Sequence, residues 1–213
     1  TIETITNWNY SSYNRTVVTK YIKAIARNFN EIASAIQKRQ VLVTVEEYVK
    51  ENGRIFFNGA SFFDLAVKAL FNDVMSHLIK VLDANKDSAT FWYIFQNEQN
   101  QILTLRSYSE EKISFLQDLS EKLKHVRDKT HFHIDKQDVI DPKRIWEKAG
   151  ISGNDLGRGL EYLFDMLLEL KNLIRKENMT KDNYFYDGCD VSKLLDFAKK
   201  EGLIEVHAKV SRI

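Results

Sequence analysis

Leu156, Leu160, Leu163, Leu167, Leu170 and Ile174 recur at alternating steps of four and three. That spacing puts all six on one side of an α-helix, and a seam of this length has to be covered by other helices packed along it. The supply of chain breakers points the same way. One proline (Pro142) and eight glycines in 213 residues are too few for the many turns of a β-sandwich or barrel. The expected class is all-α: a helical bundle with short accessory helices and a short C-terminal strand.

Other stripes follow the same period. Val18, Ile22, Ile25, Phe29, Ile32 and Ile36 predict a first helix from Arg15, with Thr44-x-x-Glu47 as a capping box and Asn52-Gly53 as a stop. Ser61 opens a second, with Phe62, Leu65, Ala69, Val74, Leu78 and Leu82 inward. After a polar break at 83–87, Ser88 is expected to cap a short aromatic helix around 91–95, and 96–101 to be a polar connection. Ser109 is an N-cap followed by Glu110 and Glu111, where the helix dipole favours anions, and Ile113, Leu116, Leu119, Leu123 and Val126 form the stripe behind it. Asp141-Pro142 starts a two-turn helix that Gly150 stops, and the leucine seam begins a long helix near Asn154. Val191, Leu194, Leu195 and Ala198 mark a helix over 190–201 ended by Gly202. Ile204, Val206, Ala208 and Val210 then alternate with polar residues as a strand does, with Ile2 and Ile5 offering a weak pairing partner. The expected organisation is an N-terminal extension over 1–14, a bundle over 15–178, and a C-terminal helix and tail over 179–213 packed on it.

Charge and cysteine usage remove several function classes. The 31 basic and 30 acidic residues leave a formal charge of +1, so the chain is not a globally basic nucleic-acid binder, although a local basic site stays open. A single cysteine, Cys189, excludes an internal disulfide and a Cys-rich zinc site. No Gly-rich phosphate loop, Gly-x-Ser-x-Gly or His-Glu-x-x-His string is present. With no run of 18 apolar residues and no charged-then-apolar leader, the expectation is a soluble cytoplasmic protein without a membrane partner. The chain begins at Thr1, so removal of a start residue is expected, and the Asn-x-Ser/Thr matches at Asn9, Asn14 and Asn178 are expected to be chance.

The chemistry concentrates in one place. Three of five histidines, His125, His131 and His133, fall within nine residues, interleaved with Arg127, Asp128, Lys129 and Asp135. An arginine followed at this distance by a histidine means little alone, because chance supplies ~0.7 such matches in this composition. Its context carries more weight. The string Arg127-Asp128-Lys129-x-x-x-His133-x-Asp135 closes an amphipathic helix and is followed by a short helix and then the long one.

In this string, and in an earlier helix ending at Leu82-Asp83 before a Ser88…Phe91-Trp92 segment, the chain resembles the HEPN superfamily of all-helical proteins. Within it, the chain is most similar to the AbiU-like branch, named after a phage abortive-infection protein. The resemblance spans roughly residues 15–200. It implies a bundle that dimerises so that two Arg…His motifs face each other across a cleft, which in active members is a metal-independent ribonuclease site. Arg127 would be the motif arginine, Asp128 the polar residue after it and His133 the motif histidine. The chain departs at Phe132, where the family often has a small residue, and His131 is an additional imidazole.

The side chains suit that chemistry. Cleaving RNA without a metal needs a base for the 2′-hydroxyl, an acid for the leaving 5′-oxygen and positive charge on the phosphate. Histidine serves as either base or acid near neutral pH, and arginine gives a forked, permanent charge. The expected catalytic set is Arg127, Asp128 and His133, with Lys124, Lys129, His131 and Asp135 contacting RNA, and with no metal or cofactor. The expected partners are RNA, a second copy of the chain and an antitoxin or regulatory protein, in phage defence or a toxin–antitoxin system.

Geometry leaves one question open. On a regular helix Arg127 and His131 share a face, whereas His133 is turned about 120° away. Either the helix loosens before His133, or different protomers supply the partners. The competing accounts also stand. Arg, Lys and His suit a solvated last turn. Asp128 orients Arg127 or His131, or is a surface acid. Phe91, Trp92, Tyr93 and Phe95 are expected in the core, Trp146 as a lid on the bundle, and 183–187 as an exposed loop. The alternative function is a non-catalytic nucleotide- or RNA-binding or protein-interaction module.

Overall fold

The computed structural model describes residues 12–57, 62–85, 87–128 and 142–207. Among them, eight α-helices are arranged around one another: α1 (Ser12–Asn52), α2 (Phe62–Leu82), α3 (Phe91–Asn97), α4 (Gln99–Ile102), α5 (Glu110–Val126), α6 (Pro142–Ala149), α7 (Gly153–Arg175) and α8 (Cys189–Lys200). The same described residues also form two short strands, β1 (Arg54–Phe57) and β2 (Ile204–His207), and a 3₁₀ turn at Lys181–Tyr184. The all-α architecture expected from the stripes is the one observed.

α1 is the spine. Its 41 residues extend roughly 60 Å at the usual helical rise. α2 and α7 pack along it, and α5 packs on both of these. Phe29 and Ile32 of α1, Met75 and Leu78 of α2, Leu116 and Leu119 of α5, and Leu163 and Leu167 of α7 meet in the main core. Each fully buried side chain of this kind contributes about 1.5–3 kcal/mol. The leucine seam behaves as its period dictates: Leu156, Leu160, Leu163, Leu167 and Leu170 are buried, and Ile174, near the end, is partly covered. Ser152 starts α7 with a reciprocal cap, its hydroxyl accepting from Asp155 N while the Asp155 carboxylate accepts from Ser152 N. Those bonds to Ser152 hold the Asp155 carboxyl below the usual carboxylate range.

Some expectations give way. Thr44 does not start a helix: α1 runs straight through it, and its hydroxyl donates to the Gln40 carbonyl within the same helix. Ser88 is not the cap of α3; Thr90 occupies that position, without a side-chain cap bond. The connection at 96–101 contains the single turn of α4, whose Ile102 is buried. Leu65 and Leu194, both read as inward, are exposed. Phe91 is in the core, with Trp92, Tyr93 and Phe95 packed against it. Trp146 leans on the core beside Phe71, with ring centroids 5.7 Å apart.

The tail strand has a partner, and it is not Ile2 or Ile5, which lie outside the described residues. β2 pairs antiparallel with β1, Arg54 opposite His207 and Phe57 opposite Ile204. With α8 this pair covers the far end of α1, where Tyr48, Leu195, Ala198 and Ile204 form a small second cluster. The Tyr48 hydroxyl donates to Asp196 at 2.9 Å, and burial together with that carboxylate pushes its pKa up to about 12.

Candidate functional site

The end of α5 is placed by one of its own polar residues. Ser120 is buried, and its hydroxyl donates to the carbonyl of Leu82, the last residue of α2, at 2.6 Å. The indole N–H of Trp92 on α3 donates to the same oxygen at 3.0 Å. A helix leaves its last carbonyls without partners, and here two neighbouring helices supply the donors. One turn further on, Leu123 is in the main core, and Val126 is buried against Ile145 and Ala149 of α6. With Ser120 fixed against Leu82, residue 127 comes two turns later on the same face and arrives beside Asp83.

Arg127 meets two carboxylates. Its Nη1 lies 3.0 Å from Asp83 Oδ1, and Nε and Nη2 each lie 2.9 Å from Asp128 Oδ1. The arginine side chain is 20% exposed, Asp83 26% and Asp128 46%. Burial works against the guanidinium charge, but the two carboxylates outweigh it and bind its proton more firmly. At Arg127 and Asp128 the helix widens into a π-type turn, a form common at functional sites.

Asp83 also lines a cleft of about 470 Å³ between α1 and the α2–α3 connection. Arg27, Asn28 and Glu31 contribute from α1, and Lys80 and Thr90 from the opposite side. Asn28 is buried and ties the two walls together, donating to Ala24 O at 2.8 Å and to Ala89 O at 2.7 Å.

From this cleft a chain of charges runs back between α1 and α2. Glu31 Oε2 faces His77 Nδ1 at 2.5 Å and Lys80 Nζ at 3.5 Å. His77 Nε2 faces Lys38 Nζ at 2.8 Å, and Lys38 also pairs with Asp73. Burial raises the Glu31 carboxyl, but the bond from His77 and the charge of Lys80 bring it below its ordinary value. The hydrogen bond from Lys38 holds Asp73 low as well.

Of the residues singled out in the sequence, Arg127 and Asp128 are brought together. Asp128 touches Arg127, the first of the orientations left open above. Lys124 and His125 are exposed on the last turn of α5. Lys129, His131, His133 and Asp135 lie outside the described residues. Sequence reasoning did not single out Asp83 as the partner of Arg127, nor Glu31, Lys38 and His77. The spacing Asp73-x-x-x-His77, one turn apart on α2, was the available signal for part of that cluster. Among the described residues, no group of three or more His, Cys, Asp or Glu side chains is placed to hold a metal ion. None of the described helices is long and apolar enough to cross a membrane. No family model, curated protein or solved structure matches the chain.

Proposed function

We propose that the chain is a HEPN-like effector that binds RNA through Arg127 and cleaves it without a metal, His133 acting as general acid or base. The observation that carries this reading is the setting of Arg127: a half-buried guanidinium, fixed by Asp83 and Asp128 at a widened helix end, beside a polar cleft that Asp83 also lines. An arginine held in one orientation loses little freedom when it engages a phosphate, which is the advantage of a forked donor set in advance. The role of His133 rests on the sequence string alone.

In this proposal the 2′-hydroxyl of RNA loses its proton to one histidine and attacks the adjacent phosphorus. The 5′-oxygen leaves with a proton from the second histidine, contributed by a second copy of the chain. The products are a 2′,3′-cyclic phosphate and a free 5′-hydroxyl. Arg127 offsets the charge that builds on the non-bridging oxygens. The cellular setting we propose is phage defence or a toxin–antitoxin system, with a neutralising or regulatory partner.

The test is RNA cleavage by the purified protein in the presence of a chelator. Wild type is expected to cut, and Arg127→Ala and His133→Ala to lose roughly 10²–10⁴-fold in rate. Negligible cleavage by all three removes the enzymatic reading. A second reading is a non-catalytic binding module, in which Arg127, positioned by the same two carboxylates, contacts a phosphate without cleavage. Binding that depends on Arg127, weakens with salt and leaves the strand intact distinguishes it.

A further inference from the structure

Position 39 interrupts the inward stripe of α1. Ile25, Ile32 and Arg39 recur every seven residues and so fall on one line along the helix. Ile25 and Ile32 are 2% and 0% exposed. The next member of that line is a partly buried arginine, where the period calls for another apolar side chain. Its guanidinium lies over Gly157 of α7, which is buried. A Cβ at that glycine would come within 2.4 Å of Nη2, 2.8 Å of Cζ and 3.1 Å of Nε. Those three distances set the glycine against the face of the guanidinium. A glycine inside a helix weakens it, and here it makes room for the arginine head.

The fold does not answer this charge. One turn away on α1 stand Ala35, Ile36, Leu42 and Val43, none of them acidic. Asp73 pairs with the adjacent Lys38. On α7, the Asp155 carboxylate accepts from Ser152 and feels the charges of Arg158 and Lys122. Among the described residues, no hydrogen bond or ion pair reaches Arg39. Gly157 is the fifth residue of α7, toward the positive end of the helix dipole, which gives a cation no compensation. A charge partly withdrawn from water without a counter-charge costs stability unless a group from outside the fold completes it.

With the glycine on its face, the guanidinium keeps its edges, and those are forked donors for two oxygens of an oxyanion. The same packing brings in the Arg127 end of α5. Gly157 follows Ile151 by six residues, Ile151 packs in the cluster of Val126, Ile145 and Ala149, and Arg127 is the residue after Val126. We infer that Arg39 holds a phosphate group, a second backbone phosphate of the RNA strand engaged at Arg127. The RNA source rests on the function proposed for Arg127, whereas a free phosphate needs Arg39 alone.

Fluorescence anisotropy of a labelled ten-nucleotide RNA with the full chain tests it, beside thermal melting with and without inorganic phosphate. Arg39→Met keeps the length of the side chain and removes its charge. It is expected to weaken RNA about tenfold. The slope of log affinity against log salt should become shallower by about 0.7, the share of one phosphate contact on a single strand. Without ligand, its melting temperature should stay level or rise, because an unanswered charge has gone. Gly157→Ala keeps the charge but pushes the flexible guanidinium off its seat, and should weaken RNA in a folded chain. A lower melting temperature in Arg39→Met with unchanged RNA affinity shows the arginine to be structural and overturns the inference. If Arg39→Met both melts lower and binds less, Gly157→Ala decides, and wild-type binding there overturns it. If Arg127→Ala lowers RNA binding while Arg39→Met and Gly157→Ala bind as wild type does, Arg39 fails and the Arg127 reading survives. If wild type binds no RNA, but inorganic phosphate raises its melting temperature and not that of Arg39→Met, Arg39 takes a free phosphate and the RNA reading fails.

Discussion

At His77 the choice of donor and acceptor is forced. An ammonium has only hydrogens to give, so Lys38 at 2.8 Å makes Nε2 the acceptor, and the ring's single N–H then points from Nδ1 to Glu31. Glu31 gains more from His77 and Lys80 than burial takes away, and its folded pKa lies below its ordinary 4.5. A carboxyl depressed in this way stabilises the fold above its unfolded value, and the contribution is lost as pH falls through the folded one. Melting temperature measured from pH 7 to pH 3 should therefore fall less steeply below about 4.5 in Glu31→Gln than in wild type. At Arg127, removing Asp83 takes away one of the two carboxylates described at the guanidinium. Asp83→Ala is expected to weaken RNA binding about tenfold, roughly the 1.4 kcal/mol of one charge-assisted hydrogen bond. In the Arg127→Ala background the same change should add nothing. Arg127 and Asp128 were legible because they sit in a local string. Asp83, 44 positions earlier, and Glu31, 46 positions from His77, were not, since only the packing of helices joins them.

Helices declared themselves through period and caps. The stripe of α5, Ile113 to Val126, is buried at every position read as inward, and Ser109 accepts from Lys112 N as a cap should. Thr44 misled because a hydroxyl three residues before a glutamate also fits a helix interior, where it turns back to the preceding carbonyl. β1 was missed for a different reason. Arg54-Ile-Phe-Phe has no clear alternation, and its partner lies some 150 residues away. The start of α8 carries the sharpest steric constraint. Gly188 has φ +69°, and a Cβ there would come within 2.1 Å of Thr44 Oγ1 on α1. Gly188→Ala combines a left-handed backbone with an overlap against a packed helix, and should cost about 1–3 kcal/mol. For a chain of this size that lowers the melting temperature by about 2–4 °C per kcal/mol, readable by calorimetry.

Across the molecule, α1 serves two cores of very unequal size. The main one joins α1, α2, α5 and α7, while the far end relies on Tyr48, Leu195, Ala198 and Ile204. Few buried contacts mean a low opening free energy. In native-state hydrogen exchange, α8 and the β1–β2 pair should exchange well before α5 and α7, and equal protection would show the two ends to be one cooperative unit. The bundle was legible at this scale from the seam and the scarcity of breakers; the division of α1 between two cores was not, because the residues that cover Tyr48 at its far end, Leu195, Ala198 and Ile204, come much later in the chain. The Leu82 carbonyl has a consequence at the same scale. It belongs to the main chain, so no replacement of the residue-82 side chain deletes it; only its donors, Trp92 and Ser120, are dispensable, and either can be lost while the other remains. Trp92→Phe and Ser120→Ala combined should destabilise by more than their separate effects added, by about 1 kcal/mol in a denaturation cycle, because only the pair strands the oxygen. The meeting point of α2, α3 and α5 is thereby fault-tolerant: it survives the failure of either fastening.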